Sequence, residues 1–235
     1  MRVEVWSDVV CPWCYIGKRR LEAALAQFPH RDSVEVVWRS FELDPRAPAR
    51  REGSYAERLA RKYGMTVEHA RASIARLTRL ADAEGLAFRL DGALPGNTFD
   101  AHRVLHLAAE RGVQDAVKER FLAGYFTERR AIGEAATLVE LAAGAGLDGG
   151  EVRAVLAGDR YAAEVRADEE AAIELAATGV PFFLVDGRFA IPGAQDTDVF
   201  LRVLDRAWAA AEPLVVVGDA GESVEAGCED GSCSI

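Results

Sequence analysis

This 235-residue chain has few cysteines, few histidines and no long hydrophobic run. No segment approaches the run of about 18 apolar residues that a membrane-spanning helix requires. Basic residues are in the minority, with 28 Lys and Arg against 38 Asp and Glu, and the net charge is −10. Such a balance argues against binding to nucleic acid or to an anionic membrane, so we expect neither as a partner.

No charged segment followed by an apolar segment precedes the first predicted strand, so we expect no export signal and a cytoplasmic location. The only four cysteines form two tight pairs, Cys11 with Cys14 and Cys228 with Cys233. In a reducing cytoplasm, paired cysteines are more often catalytic or metal-binding than structural. The pairs are therefore the first candidates for chemistry.

The first pair, Cys11-Pro12-Trp13-Cys14, stands where a predicted strand gives way to a predicted helix. Pro12 suits the first helical turn, and the helix N-terminus stabilises a thiolate at Cys11. Cys14 begins the apolar stripe of the helix and should be the more buried thiol. We therefore predict a thioredoxin-type redox motif in which Cys11 attacks and Cys14 resolves.

The sequence predicts a parallel βαβ unit at the N-terminus. Apolar and polar residues alternate in the first strand, a helix follows over 12–28, and a second strand covers Val34–Trp38. Later in the chain, the sequence predicts an antiparallel hairpin followed by a closing helix. Its strands are Phe182–Val185 and Arg188–Ile191, joined by an Asp186-Gly187 turn. This order predicts an α/β chain, a thioredoxin fold split by a large all-helical insertion. The predicted divisions are thioredoxin-like parts over 1–45 and 178–212, an insertion over 46–177 and a tail over 213–235, where 214–217 could add an edge strand.

Helix boundaries inside the insertion are predicted from local signals. Capping boxes are expected at Ser54, Thr137 and Asp148, each followed three residues later by Glu. Three glycines are expected to stop helices, namely Gly85, Gly112 and Gly146.

Val180-Pro181 precedes the strand at Phe182, and a proline there marks a sheet edge or a special turn. In the thioredoxin architecture the proline at this place is cis and lies against the cysteines. We therefore predict a cis Val180-Pro181 bond and a substrate-binding role for both residues, together with Pro12 and Trp13.

Four segments together carry a family resemblance: 7–14, 41–45, 97–103 and 178–183. With them the chain resembles the FrnE-type branch of the DsbA family over residues 1 to about 212. The resemblance implies a thioredoxin fold with a helical insertion and thiol-disulfide oxidoreductase activity. The same branch includes 2-hydroxychromene-2-carboxylate isomerases and kappa-class glutathione transferases, which carry Ser where this chain has Cys11.

The resemblance also implies that Asn97 and His102 belong to a helix facing the active site, which makes them substrate-cleft candidates. In the kappa-class relatives, the region matching 195–197 holds glutathione, so that ligand stays open although no cofactor is required. Related oxidants carry His at the position of Trp13. A neutral Trp13 stabilises the Cys11 thiolate less, which predicts a reductase or isomerase rather than a strong oxidase.

The sequence also predicts the roles of other polar residues near the motif. Asp8 is expected to form the strand-to-helix turn, with a proton-accepting role toward Cys14 as the alternative. Lys18 is expected to be solvated. His102, His106 and Glu110 share a helix face at i+4 spacing, but no fourth ligand is evident, so we expect no metal.

The second pair, Cys228 and Cys233, is predicted to exchange electrons with the first. A passive local disulfide and a four-cysteine zinc site are the alternatives. The leading function is thus exchange on disulfide-containing protein substrates, with an unidentified thiol electron donor. The rivals are a glutathione-dependent isomerase or transferase acting on an aromatic small molecule, and a chaperone-like binder without catalysis.

Overall fold

A computed structural model describes residues 1–211 of the chain. Its strands are β1 (Arg2–Ser7), β2 (Glu35–Ser40), β3 (Phe182–Val185) and β4 (Phe189–Pro192). Its helices are α1 (Pro12–Gln27), α2 (Tyr55–Tyr63), α3 (Val67–Ala83), α4 (Phe99–Glu110), α5 (Gln114–Phe126), α6 (Ala135–Gly144), α7 (Gly149–Ala157), α8 (Ala162–Glu174) and α9 (Thr197–Ala211). None of the helices within this part of the chain is long and apolar enough to cross a bilayer.

The four strands form one sheet in the order β2-β1-β3-β4. β1 pairs parallel with β2, and β3 pairs antiparallel with both β1 and β4. The predicted fold class, a thioredoxin fold with a long helical segment between β2 and β3, is confirmed. The exact domain boundaries stay a prediction.

Period-two alternation places the two faces of the sheet against different helices. Val3, Val5 and Phe183 pack in one cluster with residues of α1 and α9. Trp6, on the opposite face of β1, packs with Ala172 of α8. α1 and α9 therefore lie on one face of the sheet and α8 on the other.

The main helical core joins the helical segment to α1. Tyr15 and Ile16 of α1 lie in the same buried cluster as residues of α4, α5, α6 and α7. The helical segment thus packs directly behind the cysteine motif, and its side chains can act on the thiols.

Short sequence patterns correctly predicted most of the helix ends. Ser54 forms a full capping box with Glu57, and the Asp148 side chain accepts the Glu151 N–H. The three predicted stop glycines all have positive φ, as helix C-caps favour. Thr137 was wrongly predicted as a cap, because it lies inside α6, which begins after Glu134.

The bounds of two strands also differ from the prediction by one or two residues. β2 runs two residues further, to Ser40, since Asp168 accepts the Ser40 N–H and anchors its end. The return strand β4 begins at Phe189, because Arg188 closes the Asp186-Gly187 turn by donating to the Val185 carbonyl. The edge strand expected over 214–217 lies outside the described residues.

Candidate active site

Cys11 is the N-cap residue of α1, and its N–H donates to the Asp8 carbonyl at 3.3 Å. Pro12 fills the first helical position, as predicted. The Cys11 thiol faces the Val180 carbonyl, with 3.6 Å between Sγ and O. Only 3% of Cys11 is exposed, so a substrate disulfide must reach it through the groove that Cys11 lines.

Cys14 lies one turn further along α1 and is 1% exposed, slightly less than Cys11, as predicted. Both cysteines are free thiols in this structure. Burial raises the pKa of Cys14 well above its ordinary value, and the neighbouring Cys11 raises it further, while Lys118 opposes the shift. Cys14 is therefore a protonated thiol, and it must lose its proton before it can react as a thiolate.

The Val180-Pro181 bond is cis, which confirms the prediction. Gly17, one turn beyond Cys14, lies against the proline: a Cβ there would approach Pro181 Cγ and Phe183 Cζ to 3.1 Å. The absence of a side chain at Gly17 thus permits α1 to approach the proline segment closely. No group among residues 1–211 accepts the Val180 N–H in a hydrogen bond.

An open groove of about 1530 Å³ runs from the cysteine motif across the first two helices of the helical segment. Cys11, Pro12, Trp13 and Val180 line one end of it. Apolar side chains of α2 and α3, among them Leu59 and Leu77, line the rest. Small-molecule pockets occupy roughly 300–1,000 Å³, so this groove can hold a polypeptide segment.

Asp8 is buried beside the thiols; its carbonyl accepts the Cys11 N–H across the strand-to-helix turn, as predicted, while its side chain makes long-range contacts. Its Oδ2 accepts the Leu43 N–H at 2.8 Å, and its Oδ1 lies 3.5 Å from His102 Nε2. Burial raises the pKa of Asp8, but His102, the Leu43 N–H and Lys118 together hold it below its ordinary value. Asp8 is therefore a carboxylate near the Cys14 thiol, whose sulfur its backbone N–H faces.

Lys118 of α5 is a charged residue that the sequence interpretation missed. It is fully buried, and its Nζ donates to the Ser7 carbonyl at 3.3 Å. Burial lowers the pKa of Lys118 from 10.5 to about 8, although Cys14, Asp8 and Cys11 oppose that change. The one available signal was its position three residues before the buried Phe121, on the apolar face of the helix.

Comparison with known proteins agrees with this fold. The family model of the DSBA-like thioredoxin domain matches residues 2–205. The chain belongs to this family.

A probable DsbA oxidoreductase of known structure from Streptomyces coelicolor is 51% identical, with a TM-score of 0.87 over 95% of this chain and 99% of that one. The uncharacterized Bacillus subtilis protein YwbO is 28% identical and matches 87% of this chain and 96% of its own. The cytosolic disulfide reductase DsbM from Pseudomonas aeruginosa shares the fold at 21% identity, with a TM-score of 0.61 over 90% of this chain and all of that one. Membership of the FrnE-type branch in particular stays a prediction.

Within this DSBA-like chain, Asn97 and His102 do not line the groove. The Asn97 side chain donates to the Pro45 carbonyl and accepts the Phe99 N–H. His102 is fully buried behind Asp8, where neither ring nitrogen has a hydrogen-bond partner within standard distance. The expected direct substrate contact is therefore not supported, and His102 acts instead as a neighbour of Asp8.

The region expected to hold glutathione is occupied by internal contacts. Gln195 donates to the Pro192 carbonyl at 2.8 Å, and Asp196 pairs with Arg20 at 2.8 Å. Neither residue lines the groove.

Lys18 is not solvated, contrary to expectation. It is 1% exposed and pairs with Asp115 at 3.3 Å, with Glu119 at 3.1 Å and with Glu22. Asp115 and Glu119 come from α5, so only the folded chain brings them to α1. Burial lowers the pKa of Lys18, but the three carboxylates outweigh it and raise the pKa above its ordinary value.

The histidine trio on α4 does not converge. His106 approaches Asp168 at 3.2 Å, whereas Glu110 pairs with Arg160. Among residues 1–211, no group of three or more His, Cys, Asp or Glu side chains is placed to hold a metal ion. Cys228 and Cys233, and with them the zinc alternative, lie outside the described residues.

Proposed function

We propose that this chain catalyses thiol-disulfide exchange on protein substrates, with Cys11 as the nucleophile and Cys14 as the resolving thiol. One observation carries the proposal. Cys11 caps a helix at the wall of an open groove, with a second free thiol buried one turn behind it. Membership of the DSBA-like family supports the same chemistry.

In the first step, the Cys11 thiolate attacks one sulfur of a substrate disulfide. A bond forms between Cys11 and that sulfur, the substrate S–S bond breaks, and the other substrate sulfur leaves as a thiolate that takes up a proton. The helix N-terminus stabilises the attacking thiolate through its unpaired N–H groups and its dipole.

In the second step, Cys14 attacks Cys11 and releases the substrate as a thiol. Cys14 must lose its proton first, and its raised pKa makes that loss the difficult part. The Asp8 carboxylate can accept the proton, as the sequence interpretation allowed, and the buried Lys118 cation stabilises the thiolate that forms. The product holds a Cys11–Cys14 disulfide.

Substrate backbone is expected to align along Val180. Its carbonyl faces Cys11, and its N–H is left without an acceptor among residues 1–211. An extended peptide placed there would satisfy that N–H and present its cysteine to Cys11. Trp13, 41% exposed beside the thiol, offers an apolar contact surface to the same peptide.

The direction proposed is reduction or isomerisation, with a separate thiol donor that returns Cys11 and Cys14 to the dithiol. Trp13 adds no charge beside Cys11, so the thiolate gains less stabilisation than beside a histidine, and the couple is more reducing. The cytoplasmic location, the glutathione ligand and the redox role of Cys228 and Cys233 stay predictions.

Reduction of insulin by a dithiol donor, followed by turbidity, tests the proposal. Cys11→Ser should lose turnover entirely, whereas Cys14→Ser should accumulate a covalent mixed disulfide with substrate, visible by mass spectrometry without reductant. Arg79→Ala, exposed on α3 outside the groove lining, is the control and should keep full turnover, because it leaves both thiols and the groove unchanged. Full turnover by Cys11→Ser would exclude the proposal, because insulin reduction would then not pass through the Cys11 thiolate.

A further inference from the structure

Behind the thiols lies a set of buried polar atoms that lack hydrogen-bond partners. Within residues 1–211 these atoms are Ser7 Oγ, Asp8 Oδ1, Glu42 Oε1 and both ring nitrogens of His102. An unpaired buried polar atom costs about 1–3 kcal/mol, and native folds pair nearly all such atoms. A group of them beside an active site therefore points to a role in the chemistry rather than in stability.

The His102 imidazole, on α4, is placed near two carboxyl groups. Its Nε2 lies 3.5 Å from Asp8 Oδ1, a few tenths of an ångström beyond a normal hydrogen bond. It also acts electrostatically on Glu42, which follows β2. An imidazole can take up a proton at one ring nitrogen and release another from the second. His102 can therefore connect the two carboxyl groups.

The two carboxyl groups differ in their affinity for a proton. Burial raises the pKa of Asp8, but its hydrogen bonds and charged neighbours hold that pKa below its ordinary value. Burial raises the pKa of Glu42 above its ordinary value, although Arg166 and His102 oppose the change. A proton that Asp8 receives is therefore released again readily, and Glu42 is the stronger base of the two.

Glu42 leads to solvent on the side of α8. Its side chain is fully buried, and its Oε2 accepts a hydrogen bond from Arg166 at 2.6 Å. The Arg166 side chain is 46% exposed, so solvent reaches the outer end of this pair. Neither His102 nor Glu42 lines the groove. A proton that leaves beside Arg166 thus avoids the groove that Cys11 lines.

We propose that His102 carries the proton of Cys14 from Asp8 to Glu42, from which it leaves to solvent beside Arg166. The use of this path in catalysis rests on the proposed function, whereas the path itself does not. A route behind the thiols is needed because the substrate, once bonded to Cys11, covers the end of the groove. Cys14 is buried beneath it and still holds its proton.

The proton transfers balance over the reaction cycle. Cys14 gives its proton to the Asp8 carboxylate, and Asp8 passes it to Nε2 of His102. The ring releases the proton of Nδ1 to Glu42 Oε1, and Glu42 returns it to water. When a donor thiol later reduces the Cys11–Cys14 disulfide, a proton travels the opposite way to the Cys14 sulfur and restores the first tautomer of His102.

Other charged and titratable groups surround this path. On α5, Lys118 and Tyr125 interact electrostatically with Asp8. One turn beyond His102, His106 is held by Asp168 and Ser40. On α8, Glu169 lies beside Glu42: it accepts the Glu42 N–H at 3.1 Å and pairs with Arg166 at 2.5 Å. Glu169 shares the arginine with Glu42 but is not a step of the path, so it supplies a matched control.

The rate at which Cys14 resolves a mixed disulfide tests the path. A thiopyridyl-activated peptide is coupled to Cys11 at about pH 4, where Cys14 stays protonated, and a stopped-flow jump to neutral pH starts the resolution. We expect Glu42→Gln to slow it about hundredfold at pH 7, within the range that positioned proton transfer contributes, and Glu169→Gln to slow it less than about twofold. The deficit of Glu42→Gln should shrink about tenfold per pH unit, because hydroxide replaces the missing base.

Two further readouts separate a proton path from a structural role. A path changes rates in both directions and leaves the equilibrium alone, so Glu42→Gln and Glu169→Gln should have the same reduction potential in glutathione buffers. His102→Gln should slow resolution as Glu42→Gln does. Because the two residues act in series, the double variant should be less than about twofold slower than either single one.

A measurement without substrate tests the path independently of turnover. In Cys11→Ser/Cys228→Ser/Cys233→Ser, Cys14 is the only remaining thiol, since the chain has four cysteines. Infrared spectroscopy follows the exchange of its S–H proton after mixing with heavy water. We expect this exchange to be at least about tenfold slower with Glu42→Gln added than with Glu169→Gln added.

Equal resolution rates in Glu42→Gln and Glu169→Gln, or a deficit that does not change with pH, would overturn the proton path. A reduction potential that moves only in Glu42→Gln would also overturn it, because the residue would then act on the equilibrium. Full insulin turnover by Cys11→Ser, together with slow S–H exchange caused by Glu42→Gln, would remove the proposed function and leave the path in place.

Discussion

Replacement of Lys118 by Met should make the chain more stable and slower at the same time. Lys118 carries a charge in a fully buried position without an ion-pair partner among residues 1–211. Met has a similar length and no charge, so the variant removes the charge and keeps the packing. The charge is costly to bury, yet it faces Cys14 and opposes the rise of the Cys14 pKa.

The free-energy cost of burying this charge follows from the pKa of Lys118, which burial lowers from 10.5 to about 8. A change of one pKa unit corresponds to about 1.4 kcal/mol, so the buried charge destabilises the fold by about 3 kcal/mol at pH 7. Loss of the hydrogen bond to the Ser7 carbonyl offsets about 1 kcal/mol of the gain. Lys118→Met should therefore raise the free energy of unfolding by about 2 kcal/mol.

The pH dependence has a definite sign. The folded-state pKa lies below the unfolded value, so the unfolded chain binds more protons between about pH 8 and 10.5. The wild-type chain consequently regains stability as pH rises through that window, and the penalty falls to about 1 kcal/mol near pH 10. Urea unfolding at pH 7 and pH 10, on both chains, measures the difference between them.

The other buried lysine supplies a matched control. Lys18 has three carboxylate partners that raise its pKa, so its charge stabilises the fold below pH 10.5 and that contribution is lost only at higher pH. Lys18→Met should lower stability at pH 7 by about 1–2 kcal/mol, because its partners are partly exposed.

Without the Lys118 charge, Cys14 should form its thiolate less readily. Because a higher pKa of Cys14 lowers its thiolate fraction, we expect mixed disulfides to resolve at least several-fold more slowly. Stopped-flow decay of a preformed mixed disulfide measures that rate. A Lys118→Met chain that is less stable at pH 7, or that resolves at the wild-type rate, would refute the reasoning.

Two further predictions concern the motif itself. Gly17→Ala should lower the free energy of unfolding by about 1 kcal/mol, since overpacking against Pro181 and Phe183 at 3.1 Å exceeds the gain in helix propensity; it should also raise KM in insulin reduction, and a more stable variant with unchanged KM would contradict the contact. Trp13→His should make the couple more oxidising, by about 30 mV for each 1.4 kcal/mol of thiolate stabilisation. Equilibration with glutathione buffers measures the potential, the effect should grow as pH falls through the histidine pKa, and an unchanged potential would disprove the assigned role of Trp13.

Several elements followed from short stretches of sequence. The alternation of apolar and polar residues predicted β1, and apolar residues spaced three and four positions apart predicted α1 and α9. The position of Cys11 at a helix start followed from Pro12 and the apolar stripe beginning at Cys14. These signals act over a few residues, where backbone sterics, missing donors and side-chain periodicity decide the structure.

Errors arose where distant residues meet. Thr137 matched a capping pattern but lies inside α6, and Lys18 resembled a surface lysine until Asp115 and Glu119 of α5 came beside it. Asp8 closes the expected local turn with its carbonyl, but the sequence did not predict that Leu43 and His102 would meet its side chain. A charge pattern within one helix does not specify which side chains another helix brings to it.

The sequence alone determined the redox motif, the α/β class and the helical segment, because each depends on residue type and near-neighbour spacing. Tertiary structure alone decided the surroundings of the thiols: the buried Lys118, the carboxylate of Asp8 and the open groove lined by α2 and α3. The physical reason is distance along the chain. Solvent exclusion and electrostatic interaction depend on separation in space, and residues more than a hundred positions apart become neighbours only after folding.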